Sequence, residues 1–179
     1  KNDSINAFAL PGGSIVVFEG LIKATKRPEE LAGVLAHEIQ HIEQRHSTKI
    51  ILRETSIGFL VSAVTGTSEG FDIAFKAART IGGLGYRRQE EESADVEGLK
   101  LMVNARIDPY GMIDFFKLIR DKYGKFPKLF EYFSTHPNTN NRIETLDNLI
   151  KGYSYKPEKL LSGVNWEEVK NICETTEQE

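Results

Sequence analysis

His37-Glu38-Ile39-Gln40-His41 is the stretch that decides how this 179-residue chain is read. Each residue of an α-helix adds about 100° and 1.5 Å, so residues four apart lie on one face, one turn apart along the axis. Two imidazoles placed in this way can bind one metal ion from the same side. Glu38 points to that side too, within reach of a water held by the metal. The chemistry that needs this spacing is zinc-dependent hydrolysis of peptide bonds. A helix carrying scattered His and Glu can reproduce the pattern by chance, so the rest of the sequence must support it.

Apolar residues make up 40% of the chain and charged residues 27%, the balance of an ordinary globular domain with a full core. A net charge of −3 leaves no basic footprint and argues against nucleic acid as a partner. The single cysteine, Cys173, rules out an internal disulfide framework and any cysteine-rich zinc site. The longest apolar run, Ile57 to Val64, is far short of the roughly 20 residues that cross a bilayer, and is expected to be buried core. The chain begins at Lys1 with no signal-like apolar stretch, as expected of a mature form or an excised domain whose targeting segment is missing.

Ile5–Leu10 and Ser14–Glu19 flank Pro11-Gly12-Gly13 and read as a β-hairpin, one strand of which could receive extended substrate backbone. Gly20–Thr25 reads as a short helical turn. Pro28 suits a first helical position, and Glu29 and Glu30 complement the positive end of the helix dipole, so a helix is expected from there to about His46. Leu31, Leu35 and Ile42 form its apolar stripe, with His37, Glu38 and His41 along the border. His46 lies away from the pair and reads as a surface or capping residue. Lys49–Thr65 forms a second helix, and Phe71–Thr80 resumes helical spacing before Gly82-Gly83-Leu84-Gly85; this pair is expected to pack over the first.

A further helix is predicted from about Gln89 to Ala105, with Glu90, Glu91, Glu92, Asp95 and Glu97 in it. Val96, Leu99, Met102 and Val103 mark its buried side, and Glu90 and Glu97 point away from that side. Glu91 and Asp95 share a face with Met102, and Ala94 and Gly98 are small enough to admit a neighbouring helix. A glutamate ligand with an aspartate one turn later fits a zinc site in which the aspartate orients a ligating imidazole. Glu92 is the alternative ligand, and a solvated acidic run is the plain alternative to both. Pro109–Tyr123 gives an amphipathic helix with Met112, Phe115, Phe116 and Ile119 inward. Lys125–Ser134 is irregular and aromatic. Thr135-His136-Pro137 then leads through a loop, with Asn138 or Thr139 as cap, into a helix ending near Gly152. His136, before a proline, sits in extended backbone. The tail from Tyr153 is expected to dock one short helix and then fray.

Four blocks in order resemble the zinc metallopeptidase family of the HtpX heat-shock proteases, the type-one CAAX prenyl proteases and BepA, peptidase family M48. They are Asn6-Ala7-Phe8-Ala9-Leu10-Pro11-Gly12-Gly13, the His37–His41 motif, Glu91-Glu92-Ser93-Ala94-Asp95, and Thr135-His136-Pro137 with Arg142-Ile143. The resemblance covers about residues 5–150, leaving 153–179 as an extension of a single metallopeptidase domain. It implies an α+β, mainly helical, gluzincin-type fold with a small β-sheet beside the HExxH helix. It also implies one Zn2+ per chain on His37, His41 and Glu91, with Glu38 as general base and Asp95 holding His37. His136 gains a role near the oxyanion or as a fourth ligand that closes the site at rest, with Arg142 in support. The strand at Ser14–Glu19 becomes the expected place for an extended, unfolded or misfolded polypeptide. The membrane-spanning hairpins of some branches and the C-terminal repeat domain of BepA are missing. The small members that remain imply a place in the bacterial periplasm, or membrane association on its periplasmic side through an N-terminal anchor missing from this chain.

Overall fold

The computed structural model describes residues 3–66, 86–123, 132, 136 and 139–175. The expected helical segment at Phe71–Thr80, the glycine run after it, most of the aromatic stretch 125–134 and the capping position Asn138 lie outside the described residues.

The chain opens with an antiparallel hairpin, β1 (Ala7–Ala9) and β2 (Ile15–Val17), paired Ala7 to Val17, Phe8 to Val16 and Ala9 to Ile15. Its turn needs Gly12 and Gly13, which stand at φ 97° and 96°, where a Cβ would be strained. Phe18 N–H donates to the Asn6 carbonyl and Leu10 N–H to Ser14, so the even positions of β1 face β2. By alternation, the backbone groups of Ala7 and Ala9 face the opposite edge, toward the helices. A short helix, α1 (Glu19–Ala24), follows.

The central helix, α2 (Pro28–Glu43), starts with Pro28 in its first turn and with Glu29 and Glu30 at its positive end, as its sequence predicts. Its burial differs from the predicted stripe. Leu31, Leu35 and Ile42 are only partly covered, whereas Gly33, Val34, Ala36, His37, Glu38 and His41 are buried. The reason is that α2 is covered by the hairpin, by α4 (Arg88–Asn104) and by α5 (Tyr110–Tyr123), so the polar motif is enclosed rather than left on a border. Glycines set the spacing. A Cβ on Gly33 would lie 2.6 Å from the Met112 backbone, and one on Gly98 would lie 3.1 Å from the Ala36 and His37 backbone. Beneath the site, Leu99, Met102, Met112, Ile113, Phe115, Phe116 and Leu146 form the core, to which α6 (Thr139–Lys151) contributes.

α3 (His46–Thr65) departs from expectation at both ends. The first long helix stops at Glu43, and Arg45 takes the left-handed conformation (φ 56°, ψ 36°), so His46 opens a new helix. Burial in α3 is concentrated at its start, at His46, Ser47 and Ile50, with Gly58 the one buried residue further along. Ile57, Phe59, Leu60, Val61 and Val64, read as core from the sequence, are exposed: 57, 60, 61 and 64 share one helical face, and that face stays uncovered. The tail carries two short helices, α7 (Trp166–Lys170) and α8 (Ile172–Thr175). No described helix is long and apolar enough to cross a membrane.

Candidate active site

His37, His41, Glu91 and His136 converge in the interior, each offering a ligand atom within 4.8 Å of the others. All four are buried. His37 Nε2 stands 2.9 Å from His41 Nε2 and 3.2 Å from His136 Nδ1. Glu91 Oε1 stands 3.3 Å from His41 Nε2 and 2.9 Å from His136 Nδ1. Tetrahedral zinc with bonds of about 2.0–2.1 Å separates its donors by roughly 3.3 Å. The donor set therefore fits zinc in both chemistry and spacing. His136 enters it through Nδ1 as a fourth member.

Protonation agrees with this at His41 and Glu91. Burial pushes His41 down to about 2, so its imidazole is neutral, as a ligand must be. Burial pushes Glu91 up, but His136 and His37 beside it and the hydrogen bonds from His136 and His41 outweigh that, and its carboxyl lies well below the usual range. Glu92, the alternative ligand, is exposed.

Glu38 is fully buried; neither of its carboxylate oxygens has a partner in full hydrogen-bond geometry, but the Ala9 backbone N–H lies close enough to favour its charged form. Burial raises its pKa, offset only in part by His136 and His37. His136 Nε2 lies 3.3 Å from Glu38 Oε1, a charge contact without hydrogen-bond geometry. The same imidazole thus addresses the donor set with one nitrogen and Glu38 with the other. Its pKa is lowered by burial but raised further by Glu91 and Glu38. Tyr132 stacks on it, with ring centroids 4.4 Å apart.

Around the donors runs a second set of contacts. Asp95 Oδ1 is 2.9 Å from His37 Nδ1. Arg142 donates from Nε to Asp95 Oδ2 (2.5 Å) and from Nη2 to Asp95 Oδ1 (2.6 Å), and lies over the Phe116 ring. Its Nη1 is 2.9 Å from Glu91 Oε2, in a charge contact whose N–H is not aimed along the hydrogen-bond direction. Burial raises the Asp95 pKa, but Arg142 and His37 overcome it and hold the group ionised.

Three neighbours escaped the sequence reading. His46, taken for a surface or capping residue, is buried with its Nδ1 2.8 Å from His41 Nδ1. Tyr86 stacks flat on His41 at 3.7 Å. Ser47 donates to the Ala9 carbonyl, so the Tyr86 hydroxyl donates to Ser47 Oγ. Only tertiary structure joins these positions, and no sequence spacing announces them. A cleft of about 410 Å³ opens beside His41, between the hairpin turn at Leu10–Gly13 and residues 45–48.

So much buried charge in a small core is a poor way to gain stability, since each group must be paired against its own desolvation. A hydrolytic site that keeps a base dry and aimed at a metal needs that arrangement. The class that fold and site define is the metallopeptidases. Residues 1–150 match the model of peptidase family M48, and the chain belongs to that family. It is 31% identical over 162 residues to mitochondrial metalloendopeptidase OMA1 of Schizosaccharomyces pombe, a match covering 88% of this chain and 47% of that protein. It is 31% identical over 159 residues to the beta-barrel assembly-enhancing protease of Yersinia pestis, covering 83% and 33%. A similar match, 33% over 144 residues, is to mitochondrial metalloendopeptidase OMA1 of Arabidopsis thaliana, covering 79% and 29%. The chain thus spans less than half the length of these relatives.

Proposed function

We propose that the chain is a zinc-dependent endopeptidase acting on unfolded or misfolded polypeptide. In this reading residues 1–179 form one metallopeptidase domain, with 153–179 as an extension. His37, His41 and Glu91 hold one zinc. The observation that carries the reading is Glu38, a fully buried carboxylate whose pKa burial raises, set beside a donor set of tetrahedral spacing.

Bound zinc supplies a Lewis acid that polarises a carbonyl and lowers the pKa of water to about 7. Glu38 takes the proton of the attacking water and returns it to the leaving amine, a role that its raised pKa favours. Asp95 fixes the tautomer of His37 by accepting its Nδ1 proton, and Arg142 keeps Asp95 and Glu91 ionised. An extended chain would bind through its backbone by strand addition, which is indifferent to side chains and suits a broad substrate range. The hairpin edge turned toward the helices is that of β1, so the pairing is proposed there rather than on β2. The likeness to the beta-barrel assembly-enhancing proteases supports a bacterial periplasmic or membrane-anchored location, while the OMA1 relatives are named as mitochondrial; fractionation of the parent cell would test it.

His136 favours a second reading of the resting state. Its Nδ1 lies within hydrogen-bond distance of both His37 and Glu91, which supports a closed site, and a permanently closed site would make the domain a chaperone-like binder. Cleavage of casein by the zinc-loaded chain and by His136→Ala separates the two. A capping His136 predicts faster cleavage when it is removed; an oxyanion-stabilising His136 predicts a loss of about 10²-fold or more. No cleavage by either protein would favour the binder.

A further inference from the structure

His46 has no part in the mechanism above, yet it is almost wholly buried against the site. We infer that His46 is a positioning residue for His41, accepting the His41 Nδ1 proton and so fixing the tautomer and ring angle with which Nε2 meets the metal. The inference rests on the zinc-site reading above.

Two imidazole nitrogens 2.8 Å apart form a hydrogen bond only if one of them carries the proton. His41 must offer a lone pair at Nε2, the atom that faces His37 and Glu91. Its proton is then on Nδ1, and His46 Nδ1 must accept it. On the other ligand the same task falls to Asp95, 2.9 Å from His37 Nδ1. Outer partners of this kind orient ligating imidazoles and tune their basicity. The stack of Tyr86 on the His41 face restrains the ring in the remaining direction.

The backbone is bent to make this contact. In an unbroken helix residue 46 would sit roughly 140° around the axis from residue 41, out of reach. Instead α2 ends, Arg45 adopts φ 56° without any side-chain cap bond, and His46 turns back as the first residue of α3. An arginine in the left-handed region is strained, because its Cβ crowds the following carbonyl oxygen. Strain held at a non-glycine residue beside a site is the kind that function retains.

The test compares three variants by competition with a zinc-binding indicator, after circular dichroism has checked each fold. His46→Leu fills the space but cannot accept a proton. His46→Asn is smaller, but its Oδ1 stands close to the place of Nδ1. His46→Gln carries its carbonyl one bond too far and is a second non-accepting control should the leucine variant not fold. Positioning predicts that Leu and Gln weaken zinc binding 10–100-fold and that Asn stays within about threefold of the parent. Leu binding as tightly as the parent, or Asn weakening as much as Gln, overturns the assignment. A parent that takes up no zinc overturns the zinc reading and this one together; a parent that binds while the variants rank otherwise overturns this one alone.

Discussion

Arg142 enters a space that already holds two carboxylates, Asp95 and Glu91, and its guanidinium touches both while its face rests on Phe116. Removing one partner from a buried ionic group leaves the others uncompensated, typically at a cost of 3–5 kcal/mol. We expect Arg142→Met to lose about 3–5 kcal/mol of stability in urea denaturation. Arg142→Lys should recover little, because an ammonium cannot present the planar fork that Asp95 accepts. Glu91→Gln should reduce zinc affinity strongly while Glu92→Gln leaves it unchanged, read by competition with a chelating indicator. At this scale the sequence was informative where function imposes a helical interval. His37 and His41, and Glu91 and Asp95, are each four apart, and the structure brings them together. It misplaced His46, read as a surface or capping residue, and was silent on Tyr86 and Ser47; their partners are set by a chain reversal and by packing from elsewhere in the chain.

Among the elements, α2 and α4 must approach closely if the His pair on one and Glu91 on the other are to share an ion. The side chains that permit this are absent ones. Gly98 meets the Ala36–His37 backbone, and Gly33 does the same for α5 at Met112. Gly33→Ala should force α5 away and cost about 1–3 kcal/mol or more by thermal or urea unfolding, because a backbone cannot swing aside as a flexible side chain can. Gly98 and Ala94 were legible as small positions on the ligand face, and Pro11-Gly12-Gly13 as a turn, because both follow from local sterics. The break at Arg45 was not, since nothing in an arginine marks a left-handed residue. The apolar end of α3 misled for a different reason: an apolar face in the sequence shows what could be buried, not that another element covers it.

For the whole molecule, site and core are one structure. Phe116 lies edge-on to His37 and packs with the central cluster, so the His and Glu cluster forms one wall of the core. A ligand bound only by the folded state stabilises it by mass action, by about 4 kcal/mol at a thousand times its Kd. Chelation should therefore lower the melting temperature, and zinc should restore it; an unchanged transition would separate the metal from the fold. The central claim is a single zinc served by Glu38 as general base. Its most direct test is casein cleavage with metal content measured on the same samples, for the parent and for Glu38→Gln. The prediction is one zinc per chain in both and cleavage by the parent alone, with the variant down by about 10²–10⁴-fold. A zinc-loaded Glu38→Gln protein cleaving as fast as its parent would contradict it.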